Sequence, residues 1–241
     1  MNAVPATRRA FSRLSRERRV ADIIAAARAN FTEHGYENAS MAAIAEQAGV
    51  VEGTIYKYFE NKRDLLNQVL ASWYEGMVAD QADRLAGIAG VRNRLRFVVW
   101  SHLRTIATQP ALCRVFFTEV RADKDYHASR LHELNRGYAG LASAILQEGI
   151  ASGELRAGLS VRLVRDMIYG TIEHHTWDYV CGRGELKIDR LADEILGLVL
   201  DGARAGAEQQ PNVVTDRLER VADRLERLAS SAGARPARRA R

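Results

Sequence analysis

Residues 52–58, Glu-Gly-Thr-Ile-Tyr-Lys-Tyr, place two tyrosines, a lysine, a threonine and a glutamate around a short segment whose buried side needs only Ile55 and Phe59. A solvated helix face ordinarily carries Glu, Lys and Gln. Aromatic hydroxyls beside an ammonium suit phosphates and base edges better than they suit water. Tyr56 and Tyr58 can donate to phosphates or stack on sugars and thymine methyls, and Thr54 shares their face. Lys57 can read guanine O6 or N7, or hold a phosphate. Gly53 permits close backbone approach, and Val51 precedes the segment where a capping residue would stand. Glu52 is either a cytosine reader or simply solvated. Ser40 and Lys62 lie at two further helix starts, where unpaired N–H groups already favour anions.

A second constellation is Glu173-His174-His175-Thr176-Trp177-Asp178, with Cys181 after it. His174 and Asp178 share a helix face, which would suit a metal, but no paired motif such as H-E-x-x-H accompanies them. A histidine bonded at a helix interface is the plainer reading, and no metal or resident cofactor is expected. No G-x-S-x-G context exists for a serine nucleophile, which argues against catalysis. The aromatics Trp73, Phe97, Trp100, Phe116, Phe117, Tyr138, Tyr169 and Trp177 form either a plain core or the wall of an apolar cavity. In the second case His102, His174 and Arg121 would be its polar anchors.

The elements that must position these groups all read as helices. Met41, Ile44, Ala45 and Ala48 recur at helical spacing behind Ser40; Gly49 can turn the chain, and Ile55 and Phe59 anchor the next segment. Two such helices with a glycine between them make a helix-turn-helix, which presents its second helix to the DNA major groove. Upstream, Val20, Ile23, Ile24, Ala27 and Phe31 predict a helix from Ser12 or Ser15 to His34, ended by Gly35.

Residues 43–50 (AIAEQAGV), 53–62 (GTIYKYFENK) and Leu65-Leu66 resemble the signature of the TetR family of one-component regulators. The likeness runs from about Phe31 to Leu66. One departure is Val51, where many members carry a capping Ser. The resemblance implies DNA contacts at Ser40, Val51, Glu52, Gly53, Thr54, Tyr56, Lys57, Tyr58 and Lys62. It also implies a homodimer held by the last two long helices; Met167, Ile168, Ile195, Leu198 and Val199 are the expected contacts. Residues 118–141 (TEVRADKDYHASRLHELNRGYAGL) and 164–177 (VRDMIYGTIEHHTW) are similar to members that repress fatty-acid degradation genes and respond to long-chain acyl-CoA. That likeness implies a ligand site drawn from Trp73, Phe97, Trp100, His102, Arg104, Phe116, Phe117, Arg121, Tyr138, His174 and Trp177. Arg104, Arg121 and Arg136 would face the CoA phosphates.

The chain has 241 residues, 47% hydrophobic and 27% charged, enough for a small reader and one larger core. Its four prolines, at 5, 110, 211 and 236, fall where helices should break, and no sustained alternation marks a strand. The expected fold is all-α. It divides into a disordered basic arm over 1–11, a helix-turn-helix domain over 12–60, a helical effector-binding and dimerisation domain over 61–207, and an amphipathic helix with a basic tail over 208–241. Further helices are expected from Asn61 through Val78, over Arg92–Ala107, from Pro110, and over Tyr126–Glu148, Val161–Cys181 and Ile188–Ala205. Val214, Leu218, Val221, Leu225 and Leu228 alternate by four and three residues, a seam for a coiled coil or for docking on the same subunit.

Arginines crowd both ends of a chain of net charge +5, which fits a polyanionic partner and equally fits solubilising tails. Cys113 and Cys181 are too few for a disulfide framework. No apolar run approaches the roughly 20 residues of a membrane span, and the first ten residues lack a secretion signal. A cytoplasmic location follows. The combined expectation is a homodimeric repressor that binds a palindromic DNA operator and leaves it when a small apolar effector binds. Three rivals are an architectural protein binding DNA through its basic tails, a helical enzyme using His174, His175 and Cys181, and a coiled-coil scaffold built on residues 213–229.

Overall fold

The computed structural model describes residues 6–203 of the 241, with side chains from Ser15 onward. Among the described residues the structure is helical without strands. Helix α1 spans Ala6–Asn38, and Gly35 breaks its geometry with φ 76° and ψ 172°. A side chain at that φ would be strained, so glycine is what lets Tyr36 fold back under the reader. The helix starts at Ala6 rather than at Ser12 or Ser15. The arm expected over 1–11 is therefore helical from Ala6: alanines and arginines are good helix formers, and no Gly or Pro interrupts residues 6–34.

Helix α2 (Met41–Gln47) starts on Ser40, whose Oγ accepts from the Ala43 N–H at 3.1 Å. Gly49, at φ 67°, turns the chain into α3 (Glu52–Ile55). Val51 gives α3 no side-chain cap. Tyr56–Tyr58 continue α3 as a turn, with the Tyr58 and Phe59 N–H groups both reaching the Ile55 carbonyl. Ile23, Phe31, Ile44 and Ile55 are fully enclosed and make the small domain's core.

Asn61 caps α4 (Lys62–Leu85) by accepting from the Asp64 N–H at 2.9 Å. Leu65, Leu66, Val69 and Leu70 are buried near its start, and Trp73, Tyr74 and Gln81 further along. The expected helix over Arg92–Ala107 is α5 (Val91–Thr108), and Pro110 stands at the first turn of α6 (Pro110–Val115). The segment after Pro110 is not one regular helix. It widens into a π-helical turn at Phe116–Val120, which turns Phe116 into the core. The expected Tyr126–Glu148 helix is likewise split. A 3₁₀ turn (Tyr126–Ala128) precedes α7 (Arg130–Ser152), because Ser129 is extended and caps the His132 N–H. Helices α8 (Val161–Val180) and α9 (Ile188–Ala203) follow as expected.

In the larger domain α5 packs on α9, α4 on α7, and α7 on α8, while α1 lies against both α4 and α6. The two parts thus share a continuous core. The amphipathic seam expected over 213–229, and the basic tail after it, lie outside the described residues. Among the described residues no helix is long and apolar enough to cross a membrane.

Candidate functional site

The reader's outer face carries the groups expected there. Tyr56 is 50% and Val51 75% exposed, and Glu52, Gly53 and Lys57 are also exposed. Thr54 and Tyr58 are half-buried. The Arg16 guanidinium lies over the Tyr58 ring, 5.7 Å from its centroid, so α1 delivers a cation to the same face. Lys62 is engaged within the fold. Its ammonium donates to the Glu37 carbonyl at 3.0 Å and sits 4.7 Å above the Tyr36 ring. It ties the end of α1 to the start of α4, a role the residue pattern alone did not suggest.

Arg63, next in sequence, makes the longer-range link. Its Nη2 meets Asp123 Oδ2 at 3.0 Å, and its guanidinium stacks 5.4 Å from the Tyr36 centroid. Asp123 lies in the turn just beyond Phe116–Val120. The carboxyl of Asp123 is held below the usual carboxylate range, first by the Asp125 N–H and then by Arg63. Arg28 of α1 also donates to Gln109 at the α5–α6 junction.

The larger domain holds a cavity of about 670 Å³ between α4, α5, the π-helical turn, α7 and α8. Its walls include Trp73, His102, Phe116, Phe117, Arg121 and Tyr138 from the expected ligand set. The rest of that set lies elsewhere. Phe97, Trp100 and Arg104 line a separate groove of about 350 Å³ on the other side of Trp73 and Met77, with Arg104 stacked over Trp100. His174 and Trp177 are exposed on the outer side of α8. Helical spacing shows which residues share a face, but not which of two faces looks inward.

The cavity's chemistry is divided. Its interior is aromatic: Tyr74 meets Phe116 and Tyr138 edge-on at 5.4 and 6.1 Å. Its margin carries Arg121, Arg136, Arg162 and Arg165 against only Asp166 and Glu173. Arg121 pairs with Glu173, and Arg162 and Arg165 both reach Asp166. An excess of guanidinium at the rim of an apolar cavity suits an amphipathic anion. Arg162, Arg165, Asp166 and Asn135 were not foreseen. The spacing of Arg162, Arg165, Asp166 and Tyr169 along one face of α8 is the signal that would have found them.

His102 is half-buried in the cavity wall, with Nδ1 3.1 Å from the Tyr138 hydroxyl, which also accepts from Gln81 Nε2 at 3.0 Å. Desolvation pulls its pKa down from 6.5 to about 4, so the ring is neutral at physiological pH. Between those values the unfolded chain holds a proton that the folded chain does not. The contribution is complete above pH 6.5 and is lost as pH falls toward 4, by up to about 3 kcal/mol. Denaturant unfolding of His102→Gln across pH 4–7 should lack this slope when compared with the native chain.

Of the large apolar side chains that stay exposed, Leu163, Met167, Trp177 and Leu198 lie on the outer faces of α8 and α9, at 60%, 52%, 39% and 79%. Met167 and Leu198 were expected on a dimer face. Ile168, Ile195 and Val199 are instead buried in the subunit's own core, one or a few positions round the same helices, so they cannot form a surface. His175 is exposed and Cys181 half-buried at the end of α8. Among the described residues no group of three or more His, Cys, Asp or Glu comes together as a metal site.

Residues 23–69 match the model of bacterial regulatory proteins of the tetR family, and residues 71–202 that of the YsiA-like C-terminal region. The chain is 33% identical over 180 residues to the fatty acid metabolism regulator protein of Bacillus subtilis, covering 75% of this chain and 93% of the relative. It is 25% identical over 179 residues to the transcriptional repressor KstR2 of Rhodococcus jostii, covering 71% and 84%. Among solved structures it resembles FadR of Bacillus subtilis in complex with stearoyl-CoA, with a TM-score of 0.68, 32% identity, and coverage of 76% of this chain and 98% of that one. With a capped helix-turn-helix joined through α4 to a helical domain enclosing a cavity, and with both regions matched, the chain belongs to the TetR family and is a DNA-binding transcriptional regulator.

Proposed function

We propose that the chain is a cytoplasmic homodimeric repressor. Its two readers hold a palindromic operator, and a long-chain acyl-CoA releases it from the larger domain. The observation that carries this reading is the cavity's division into an aromatic interior and an arginine-rich rim, against the inner side of the helix that begins in the reader. An acyl chain suits the interior, and the CoA phosphates suit the rim. Arg136 is the rim arginine for which no carboxylate partner is found among the described residues, leaving its charge for a ligand. The stearoyl-CoA complex of the Bacillus subtilis relative supports the same class of effector. Arg104, in the neighbouring groove, is not placed to join Arg121 and Arg136 at one phosphate.

Signal and reader are joined by contacts already described. Phe116, Phe117 and Arg121 line the cavity, and two residues beyond Arg121 stands Asp123, the partner of Arg63. A ligand that displaces the π-helical turn moves Asp123, and with it the start of α4 and Tyr36. Two readers must match half-sites about 34–36 Å apart, so a small tilt of α4 in each subunit is sufficient for release. Tyr56, Lys57, Thr54 and the α3 backbone make the DNA contacts, with Ser40 and Lys62 near the phosphates. Leu163, Met167, Trp177 and Leu198, which are apolar and exposed, form the dimer face, and a two-fold axis sets the same patch of each subunit against the other.

The test is operator release. Sequences bound by the protein are selected from random duplex DNA at near-physiological salt. The enriched palindrome is then titrated with palmitoyl-CoA, CoA and palmitate. Release by palmitoyl-CoA alone supports the reading. Saturating binding of palmitoyl-CoA that leaves operator affinity unchanged rejects it. Binding without any enriched sequence, collapsing steeply with salt, supports the architectural alternative instead.

A further inference from the structure

The cavity is walled and backed by tyrosines, and their hydroxyls differ in one respect. Tyr138 accepts from Gln81 and meets His102; Tyr74 donates to Asn135 Oδ1 at 3.4 Å; Tyr126 accepts from Asn135 Nδ2 at 2.9 Å. The hydroxyl of Tyr169 is sealed from solvent and has no hydrogen-bond partner. Burying a hydroxyl without a partner is costly, and native folds seldom do it without a reason. Removing this hydroxyl from the free protein should therefore cost no stability.

Its place is informative. Tyr169 lies one helical turn beyond Arg165 on the α8 face that lines the cavity, and one turn before Glu173. Its ring packs edge-on against His102 at 5.2 Å and tilts against Tyr138 at 6.2 Å. It thus stands where the charged rim gives way to the aromatic interior. Burial pushes its phenol above the usual range, so it keeps its proton as a donor. In an acyl-CoA the pantetheine arm separates the phosphates from the tail, and the group at the end of that arm, where the apolar chain begins, is the thioester. That group offers a carbonyl oxygen, an acceptor, to a donor that lacks one.

Resting on the acyl-CoA reading above, we propose that the Tyr169 hydroxyl donates a hydrogen bond to the thioester carbonyl of the bound acyl-CoA, so that the cavity selects thioesters over ligands with the same head and tail but no carbonyl. The pantetheine arm runs from there toward the rim arginines, and the Trp73–Phe116 side of the cavity takes the tail.

The experiment compares palmitoyl-CoA with its thioether analogue S-hexadecyl-CoA, which keeps the head and nearly the same chain but lacks the carbonyl oxygen. Both are titrated into the full chain and into Y169F, with binding followed by calorimetry and thermal unfolding recorded without ligand. The native chain should prefer the thioester by on the order of 10-fold, the scale of one buried hydrogen bond. In Y169F the preference should vanish, while thioether affinity and ligand-free melting temperature stay the same or rise. Equal binding of both ligands by the native chain overturns the inference and leaves the acyl-CoA reading standing. So does a Y169F variant that weakens both alike or melts lower, since the hydroxyl would then serve the fold. Binding of neither ligand overturns the acyl-CoA reading and the inference with it.

Discussion

Replacing Tyr56 and Lys57 together by alanine is expected to lower operator affinity by at least about 100-fold, since each base or phosphate contact contributes about 1–3 kcal/mol. The structure makes this a clean experiment. Both side chains are exposed, whereas their neighbours Ile55 and Phe59 are buried. Thermal stability should therefore move by no more than about 0.5 kcal/mol. The two losses differ in kind. Removing Lys57 should also reduce the salt dependence of binding by about one unit of slope if it holds a phosphate, and should relax base preference if it reads guanine. Tyr58 makes a poorer probe, because it is half-buried under Arg16 and its loss would disturb α1 as well. Fluorescence anisotropy on the selected operator, repeated at several salt concentrations, measures all of this. A double variant that still binds with native preference would move the recognition surface off α3.

The second large effect is expected at the outer face of α8. Leu163→Glu with Met167→Glu should convert the protein to a folded monomer at micromolar concentration. In a two-fold interface each substitution appears twice, so four carboxylates would enter an apolar contact. An unpaired charge buried in this way costs about 3–5 kcal/mol. Folding of the subunit is spared because both side chains already face outward in it. Operator affinity should fall to that of a single half-site, since one reader can no longer present the other. Sedimentation gives the mass, and binding to full and half operators gives the consequence. A variant that remains dimeric would place the interface away from α8. The comparison pair is Ile168 and Ile195: they were expected on the same face but are enclosed in the subunit, so glutamate there should unfold the larger domain rather than dissociate a dimer.

Much of this protein is legible from its residues. The starts of α2, α4, α6 and α8 follow from signals within a few positions, with Ser40, Asn61 and Ser160 as caps and Pro110 at a first turn, and Gly35 and Gly49 mark where the chain turns after α1 and α2. The exposed aromatic and basic groups of α3 follow from the same local logic, because Ile55 and Phe59 account for its buried side. The break at Phe116–Val120 was hidden, since the apolar spacing of Leu112, Val115, Phe116 and Val120 runs through it and only packing decides where it is kinked.

What the chain alone determined was therefore the set of helices, the reader, and the presence of many aromatics with several arginines. Tertiary structure decided which of them meet. It put Phe97, Trp100 and Arg104 in a groove of their own, turned Trp177 outward, and drew Arg162, Arg165 and Tyr169 to the cavity. It also engaged Lys62 with Glu37 and Arg63 with Asp123, across 25 and 60 residues of chain. The physical reason is the range of the information. Caps, turns and periodicity act between residues one to four apart, so they can be read along the chain. An amphipathic helix with apolar groups on two sides records nothing of which side a distant helix will cover.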